Sequence, residues 1–143
     1  MLTTHSITIR VRYVECDPMG VAHHSAYAAW LEMGRTELLR AGGDGLDYRQ
    51  LEEQGVFLAV AKLAIRYKRP ARYDDVFDLR TSISNVGHVK IDHTYELLRA
   101  SDGVLLATGE TTLACLDRDG RPRELPASLR EEKSKSQQVE KST

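Results

Sequence analysis

The sequence predicts an α+β domain in which an antiparallel sheet wraps around one long helix. One stretch near the N-terminus spaces its apolar residues as an amphipathic helix does, and several later stretches alternate polar and apolar residues with the period of a strand. Short turns join those later stretches, which is typical of antiparallel pairing. A long amphipathic helix must bury its apolar stripe, and the apolar face of the sheet is the surface available to it.

The first strand is expected over residues 5–13, where apolar side chains alternate with polar ones. Residues 15–22 then break the alternation with the sequence Asp-Pro-Met-Gly at 17–20, a combination typical of a turn. This turn therefore separates the first strand from the long helix.

The long helix is expected over residues 25–41, with Ser25 as its N-cap. Gly42 and Gly43 directly follow, where a left-handed glycine commonly ends a helix. A short second helix is expected over residues 47–54. Period-two alternation then predicts four further strands, the first from residue 56 to residue 68 and the others over residues 77–84, 89–97 and 104–116.

Composition fits one globular domain over residues 1–130, since 41% of the 143 residues are hydrophobic and 29% are charged. Residues 131–143 are rich in Glu, Lys, Ser and Gln and are expected to form a disordered charged tail. The net charge of -1 does not favour a nucleic-acid partner, and no apolar run approaches the roughly 20 residues that span a bilayer. The N-terminus lacks a signal-peptide pattern, so a cytoplasmic location is expected.

The two cysteines, Cys16 and Cys115, show no spacing typical of a metal site, so neither a metal nor another cofactor is expected. Cys16 beside the turn invites a nucleophile interpretation. No dedicated base is identifiable next to it, however, and a small buried side chain is the favoured interpretation of both cysteines.

Asp17 is the first candidate for chemistry, because it lies in the turn just before the long helix. A helix N-terminus offers positive potential and unpaired amide donors, which can stabilise either a carboxylate or an oxyanion. An Asp-Pro pair is also common in turns that have no chemical role, and the spacing alone favours that interpretation. His23 and His24 lie at the same junction, where a histidine could position water or donate a proton. The sequence alone favours the other interpretation, a pair of interface or solvent-exposed histidines. Even with an inert ring, the backbone N–H of His24 could be an oxyanion donor.

A basic stretch follows the second strand and suggests a site for phosphate groups. Its members are Lys68, Arg69 and Arg72, to which His88 and Lys90 can be added. A solvated basic rim with no ligand explains the same residues equally well. No Gly-rich phosphate-binding motif occurs in the chain, so a nucleotide-binding fold is not indicated.

Residues 11–24 (VRYVECDPMGVAHH) resemble the active-site signature of the 4-hydroxybenzoyl-CoA thioesterase family, which includes acyl-CoA thioesterases associated with the Tol-Pal system. The likeness extends from about residue 5 to about residue 130. Outside the signature it is carried by Tyr27, Trp30, Leu31 and Arg35 and by residues 70–75.

The resemblance implies a hotdog fold, homodimers or homotetramers, and active sites between subunits. It implies hydrolysis of an acyl-CoA thioester, with Asp17 as the catalytic carboxylate, Tyr13 and His24 as helpers, and the helix N-terminus as the oxyanion site. Whether Asp17 attacks the thioester or activates water is left open, as is acyl carrier protein in place of CoA. The loop at residues 86–89 lacks the basic cluster of some aryl-CoA members, which argues against a specific assignment to 4-hydroxybenzoyl-CoA.

Two other functions compete with hydrolysis. A hydratase or dehydratase on the same fold typically pairs an acidic residue with a histidine in motifs that are not found here. A non-catalytic module that binds acyl-CoA or acyl carrier protein would keep the pocket and the basic rim and tolerate loss of the Asp17 carboxylate.

Overall fold

The computed structural model describes residues 2–42 and 45–130, which form one five-stranded antiparallel sheet with helices packed on it, and residues 127–130 are also helical. The predicted tail at 131–143 and Gly43 lie outside the described residues. The strands are β1 (Thr4–Arg10), β2 (Phe57–Tyr67), β3 (Val76–Val86), β4 (Lys90–Arg99) and β5 (Leu105–Leu116), and the helices are α1 (His24–Ala41) and α2 (Tyr48–Glu53). A 3-10 turn covers Tyr13–Glu15. No helix in the described part of the chain is long and apolar enough to cross a membrane.

The strand order β1-β3-β4-β5-β2 places β1 and β2 at the two edges of the sheet. Antiparallel register brings the end of β1 beside the start of β3, where Arg10 faces Val76. At the same end of the sheet, β4 and β2 end and β5 begins, with Tyr67 opposite Ala107. We call this end of the sheet the site end, because the loop from β1 to α1 lies there.

The apolar stripe predicted for α1 is buried against the sheet, as expected. Its members are Tyr27, Trp30, Leu31, Gly34, Leu38 and Leu39. Gly34 lets the helix approach closely, since a Cβ atom there would lie 2.8 Å from the side chain of Leu79 and would also clash with Thr81. Trp30 packs on Phe77 with ring centroids 4.9 Å apart, so the helix and the sheet share one core.

The predicted alternation holds in the central strands and is wrong in part of β2. Buried residues recur at every second position in β3 and β4, on the face that α1 covers. In β2, Leu63 and Tyr67 are 46% and 54% exposed although they continue the apolar series. The difference arises because α1 packs mainly on β1 and β3, and β2 lies at the opposite edge of the sheet.

The predicted helix ends need one correction. The N-cap of α1 is His23 and not Ser25, because the His23 ring nitrogen Nδ1 accepts the Ser25 backbone N–H at 3.1 Å. Gly42 is right-handed. The short helix predicted over residues 47–54 is present as α2, and Asp47 is its N-cap.

The interior also contains a histidine that the sequence pattern treats as one more strand residue. His93 points into the core, where its Nδ1 has no hydrogen-bond partner. Burial and the nearby Arg35 guanidinium lower the pKa of His93 from 6.5 to about 4, against a weaker opposing effect of Asp92. The folded protein therefore holds this side chain neutral.

We expect His93 to make the fold sensitive to mild acid. Between pH 6.5 and about pH 4 the unfolded chain binds a proton that the folded chain excludes, so the free energy of unfolding falls as pH falls, by about 3 kcal/mol over the window. Urea unfolding across this range should give a flatter profile for His93→Leu than for wild type. His88→Gln, which removes an exposed histidine, is the control, and equal profiles for wild type and His93→Leu would contradict this account.

Candidate active site

Asp17 closes a tight turn with its own side chain. Its Oδ1 accepts the backbone N–H groups of Met19 at 2.8 Å and of Val21 at 3.3 Å. Its backbone N–H donates to the Val21 carbonyl at 2.9 Å, and Gly20 turns the chain with φ of 77°. The turn interpretation of Asp17 is thus confirmed. Among the described residues its second oxygen, Oδ2, has no hydrogen-bond partner and remains available for chemistry.

The same turn occurs a second time, after β5. Asp117 Oδ1 accepts the N–H groups of Asp119 at 2.9 Å and of Arg121 at 3.0 Å, and Gly120 has φ of 79°. The Asp117 backbone N–H donates to the Arg121 carbonyl at 2.8 Å, as that of Asp17 does to Val21. Turn geometry alone therefore does not distinguish Asp17 from Asp117, and the difference lies in the residues that surround each turn.

The N-terminus of α1 lies on one side of the Asp17 turn. The His23 backbone N–H donates to the Glu15 carbonyl at 2.8 Å, and Cys16 forms a bridge with Ala22, so the turn closes directly onto the start of the helix. The backbone N–H of His24, the first helical residue, has no acceptor among the described residues. Unpaired N–H groups and the helix dipole make this a place where a carbonyl oxygen can acquire negative charge.

The segment after β2 supports the turn from the other side. Val21 forms a bridge with Arg72, the Ala22 N–H donates to the Ala71 carbonyl at 2.7 Å, and the Tyr73 N–H donates to the Gly20 carbonyl at 3.0 Å. The turn is therefore held between a helix end and an extended segment.

The two predicted helpers lie on the exposed rim of this arrangement. Tyr13 is 80% exposed, and its ring meets that of Tyr73 edge-on with centroids 5.6 Å apart. The His24 ring is exposed and lies 4.0 Å from the ring of His23. Their roles stay predictions, because their described contacts are with these rings.

The predicted phosphate-binding residues divide between the two ends of the sheet. Lys68, Arg69 and Arg72 are exposed at the site end. His88 and Lys90 lie at the start of β4, at the far end, where His88 Nε2 is 3.7 Å from Glu124 Oε1. Ten residues of β4 put roughly 30 Å between the two ends, so one chain does not bring all five residues together.

Cys16 is a poor nucleophile in this setting. Partial desolvation and the adjacent charges of Glu15 and Asp17 raise the pKa of its thiol, which disfavours the thiolate. The thiol contacts the Arg12 carbonyl at 3.5 Å. The expected burial is confirmed for Cys115, whereas Cys16 is only half-buried.

Sequence reasoning missed Glu15 as a member of the site. Burial tends to raise the pKa of Glu15, but hydrogen bonds from Arg12 and Trp30 outweigh it, and the pKa lies below its usual value. Glu15 belongs to the signature at residues 11–24, which was the only available signal. Its partner Trp30 is a helix residue that the apolar stripe already explained.

The family model of the thioesterase-like superfamily matches this chain over residues 11–132. The acyl-CoA thioester hydrolase YbgC of Escherichia coli O6:H1 is 32% identical over 122 residues, covering 85% of this chain and 89% of that protein. The putative acyl-CoA thioesterase YneP of Bacillus subtilis is 32% identical over 111 residues, covering 78% of each. The crystal structure of a DHNA-CoA thioesterase from Staphylococcus aureus superposes with a TM-score of 0.89 at 28% identity, covering 99% of this chain and 95% of that one.

The fold and the site define a hotdog thioester hydrolase, and the chain belongs to the thioesterase-like superfamily. Both the resemblance stated from the Asp17 signature and the expected hotdog fold are confirmed. The alternative of a non-catalytic binding module is not favoured, because the similar proteins are hydrolases by name.

The repeated turn provides a matched test of the site. Gly20→Ala and Gly120→Ala each force a residue with a side chain into the left-handed region, with no atom nearby to clash, so each should cost about 1 kcal/mol of stability. Only Gly20→Ala should also lower turnover, because only that turn orients Asp17. Thermal unfolding and steady-state hydrolysis of an acyl-CoA measure the two effects. Equal turnover in both variants would show that hydrolysis does not depend on the exact shape of the Asp17 turn.

Proposed function

We propose that the chain hydrolyses an acyl-CoA thioester to a free carboxylic acid and CoA, with Asp17 as the catalytic carboxylate. One observation carries this proposal: Asp17 Oδ2 and the backbone N–H of His24 meet no hydrogen-bond partner in the described part of the chain, and the Asp17 turn packs against the helix start where that N–H lies. A carboxylate and an oxyanion donor are the two groups that acyl transfer from a thioester requires.

Two routes fit this arrangement. In the first, Asp17 Oδ2 bonds to the thioester carbonyl carbon, the carbon–sulfur bond breaks, the CoA thiolate leaves and is protonated by solvent, and water hydrolyses the resulting anhydride. In the second, Asp17 removes a proton from a water molecule as its oxygen bonds to the same carbon, the carbon–sulfur bond breaks, and the leaving CoA thiolate takes up the proton from Asp17. In both routes the His24 N–H stabilises the negative oxygen of the intermediate, while Tyr13 and the His24 ring border the site.

The leaving group carries phosphates, for which the chain offers cations at the site end. Lys68, Arg69 and Arg72 are exposed there and would bind the nucleotide part of CoA. His88 and Lys90 can join them only from another copy of the chain, since they lie at the far end of their own sheet.

A second copy would pair through the edge strand β2. That strand leaves one row of backbone groups unpaired and exposes Leu63 and Tyr67, a combination typical of an edge that another strand covers. Antiparallel pairing of two β2 strands would set Phe57 of one copy near Tyr67 of the other, and would bring the far end of the partner's sheet toward Asp17. A homodimer, or a homotetramer of such dimers, in the cytoplasm is part of this proposal.

Asp17→Asn should abolish most turnover while the fold is retained. The amide oxygen can still accept the N–H groups of Met19 and Val21, so the turn keeps its hydrogen bonds and loses only the charge. Loss of a nucleophile or base of this kind commonly lowers kcat by about a hundredfold or more. Hydrolysis of short, long and aromatic acyl-CoAs, followed with a thiol-trapping reagent, measures the effect.

Asp117→Asn is the matched control, because it makes the same change in the same turn. Wild-type turnover by Asp17→Asn would reject Asp17 as the catalytic carboxylate. If the wild type turned over no acyl-CoA but hydrolysed an acyl carrier protein thioester, the carrier in the proposal would be wrong and the chemistry right. Tight acyl-CoA binding without hydrolysis of either carrier would favour the binding module.

The proposed assembly is tested by Leu63→Glu. A charge on the exposed face of β2 should oppose pairing with a second copy and shift the sedimentation coefficient toward that of a monomer. Met33→Glu places a charge on an exposed apolar residue of α1, close to β1 at the opposite edge, and should leave the dimer intact. A dimer that survives Leu63→Glu with its mass unchanged would locate the interface elsewhere.

A further inference from the structure

We infer that Glu15 is a positioning residue that fixes the Asp17 turn against the first turn of α1. The inference rests on the proposed role of Asp17. Glu15 is two residues before Asp17, and both its side chain and its backbone connect the turn to the helix.

The Glu15 carboxylate is fully engaged. Oε1 accepts the backbone N–H of Arg12 at 2.7 Å, and Oε2 accepts the Arg12 guanidinium at 3.2 Å and the indole N–H of Trp30 at 2.9 Å. The Glu15 side chain is 9% exposed and its bond to Trp30 is partly buried, whereas the Arg12 side chain is 72% exposed. A charge-assisted bond shielded from water, such as the one to Trp30, is strong.

Trp30 is a rigid attachment point. It is 1% exposed and packs between Tyr27 and Phe77, with ring centroids 4.8 Å and 4.9 Å away. A hydrogen bond to this indole therefore fixes Glu15 relative to the core shared by α1 and the sheet. Because Trp30 lies six residues after His24 on one helix, Glu15 is fixed relative to the proposed oxyanion donor as well.

The second copy of the turn shows what Glu15 adds. There Cys115 takes the place of Glu15, and its carbonyl accepts the Arg123 N–H at 2.9 Å, as the Glu15 carbonyl accepts that of His23. Leu116 and Pro122 form the bridge that Cys16 and Ala22 form in the first copy. The Cys115 thiol makes one long contact, 3.9 Å to the Glu124 carbonyl. The backbone loop thus closes without a carboxylate at this position.

Since the loop does not need Glu15 to close, its buried carboxylate has another use. Acyl transfer requires the attacking oxygen and the oxyanion donor to be held to within a fraction of an ångström, and Asp17 and His24 lie on different elements. The link from Glu15 to Trp30 is a side-chain connection between those two elements, and it supplements the backbone bond to His23.

Glu15→Gln tests this role, with Glu96→Gln as a matched control in an exposed ion pair on β4. The amide group cannot accept all three of the hydrogen bonds that the carboxylate accepts, so we expect kcat per folded protomer to fall about tenfold while KM stays within about twofold. A purely structural role would instead lower the thermal midpoint and leave kcat of the folded enzyme unchanged. Glu96→Gln should change neither constant.

A second measurement keeps the test decisive if Glu15→Gln folds poorly. Trp30 is the sole tryptophan of the chain, so growth on the benzothienyl analogue of tryptophan, which has sulfur in place of the indole N–H, alters that one hydrogen bond. The analogue-labelled enzyme should lose kcat at least about threefold at unchanged KM. In the unlabelled enzyme, Trp30 fluorescence reports whether Glu15→Gln has broken the bond.

Asp17→Asn is assayed in parallel so that the two proposals fail separately. If Asp17→Asn is active, the proposed function is wrong. If Asp17→Asn is inactive while both the Glu15→Gln and the analogue-labelled enzymes keep wild-type kcat, the catalytic role of Asp17 stands and the positioning role of Glu15 is overturned.

Discussion

The contact between α1 and the sheet is the interaction on which the rest of this structure depends. Burial of Trp30, Leu31 and Leu38 supplies the apolar area that holds the two layers together, and Gly34 lets the helix lie close to β3. Because the helix axis is fixed by this packing, its N-terminus has one position at the site end. The Asp17 turn packs against that N-terminus, so its position also depends on the packing of the core.

The geometry of the proposed active site is therefore assembled from separate parts of the chain. A local turn shapes the carboxylate, a helix end supplies the amide donor, and the segment after β2 closes the outer side. Glu15 connects the Asp17 turn to the buried core through its hydrogen bond to Trp30. His88 and Lys90 lie at the far end of the sheet, so under the proposed function they would contribute to CoA binding only in an assembly of two or more copies.

The sequence predicted the elements of the fold because hydrophobic period reports burial on a helix or a strand directly. It could not report strand order, which is why the exposure of Leu63 was missed. The cap at His23 was missed because a ring nitrogen there does the work usually expected of a hydroxyl or a carboxylate. Asp17 was accessible through its signature, whereas the bond from Glu15 to Trp30 joins residues 15 apart whose contact depends on side-chain geometry.

The duplicated turn bears on how catalytic loops arise and how they are recognised. Residues 15–23 and 115–123 share a backbone scaffold, down to the positive φ of its glycine, yet only the first abuts the start of a long helix. A search for active sites by local conformation would retrieve both and rank them equally. For design, the second turn is a frame of the same backbone shape, and giving it the surroundings of the first would require a neighbouring helix end and a buried anchor, with no change to the loop itself.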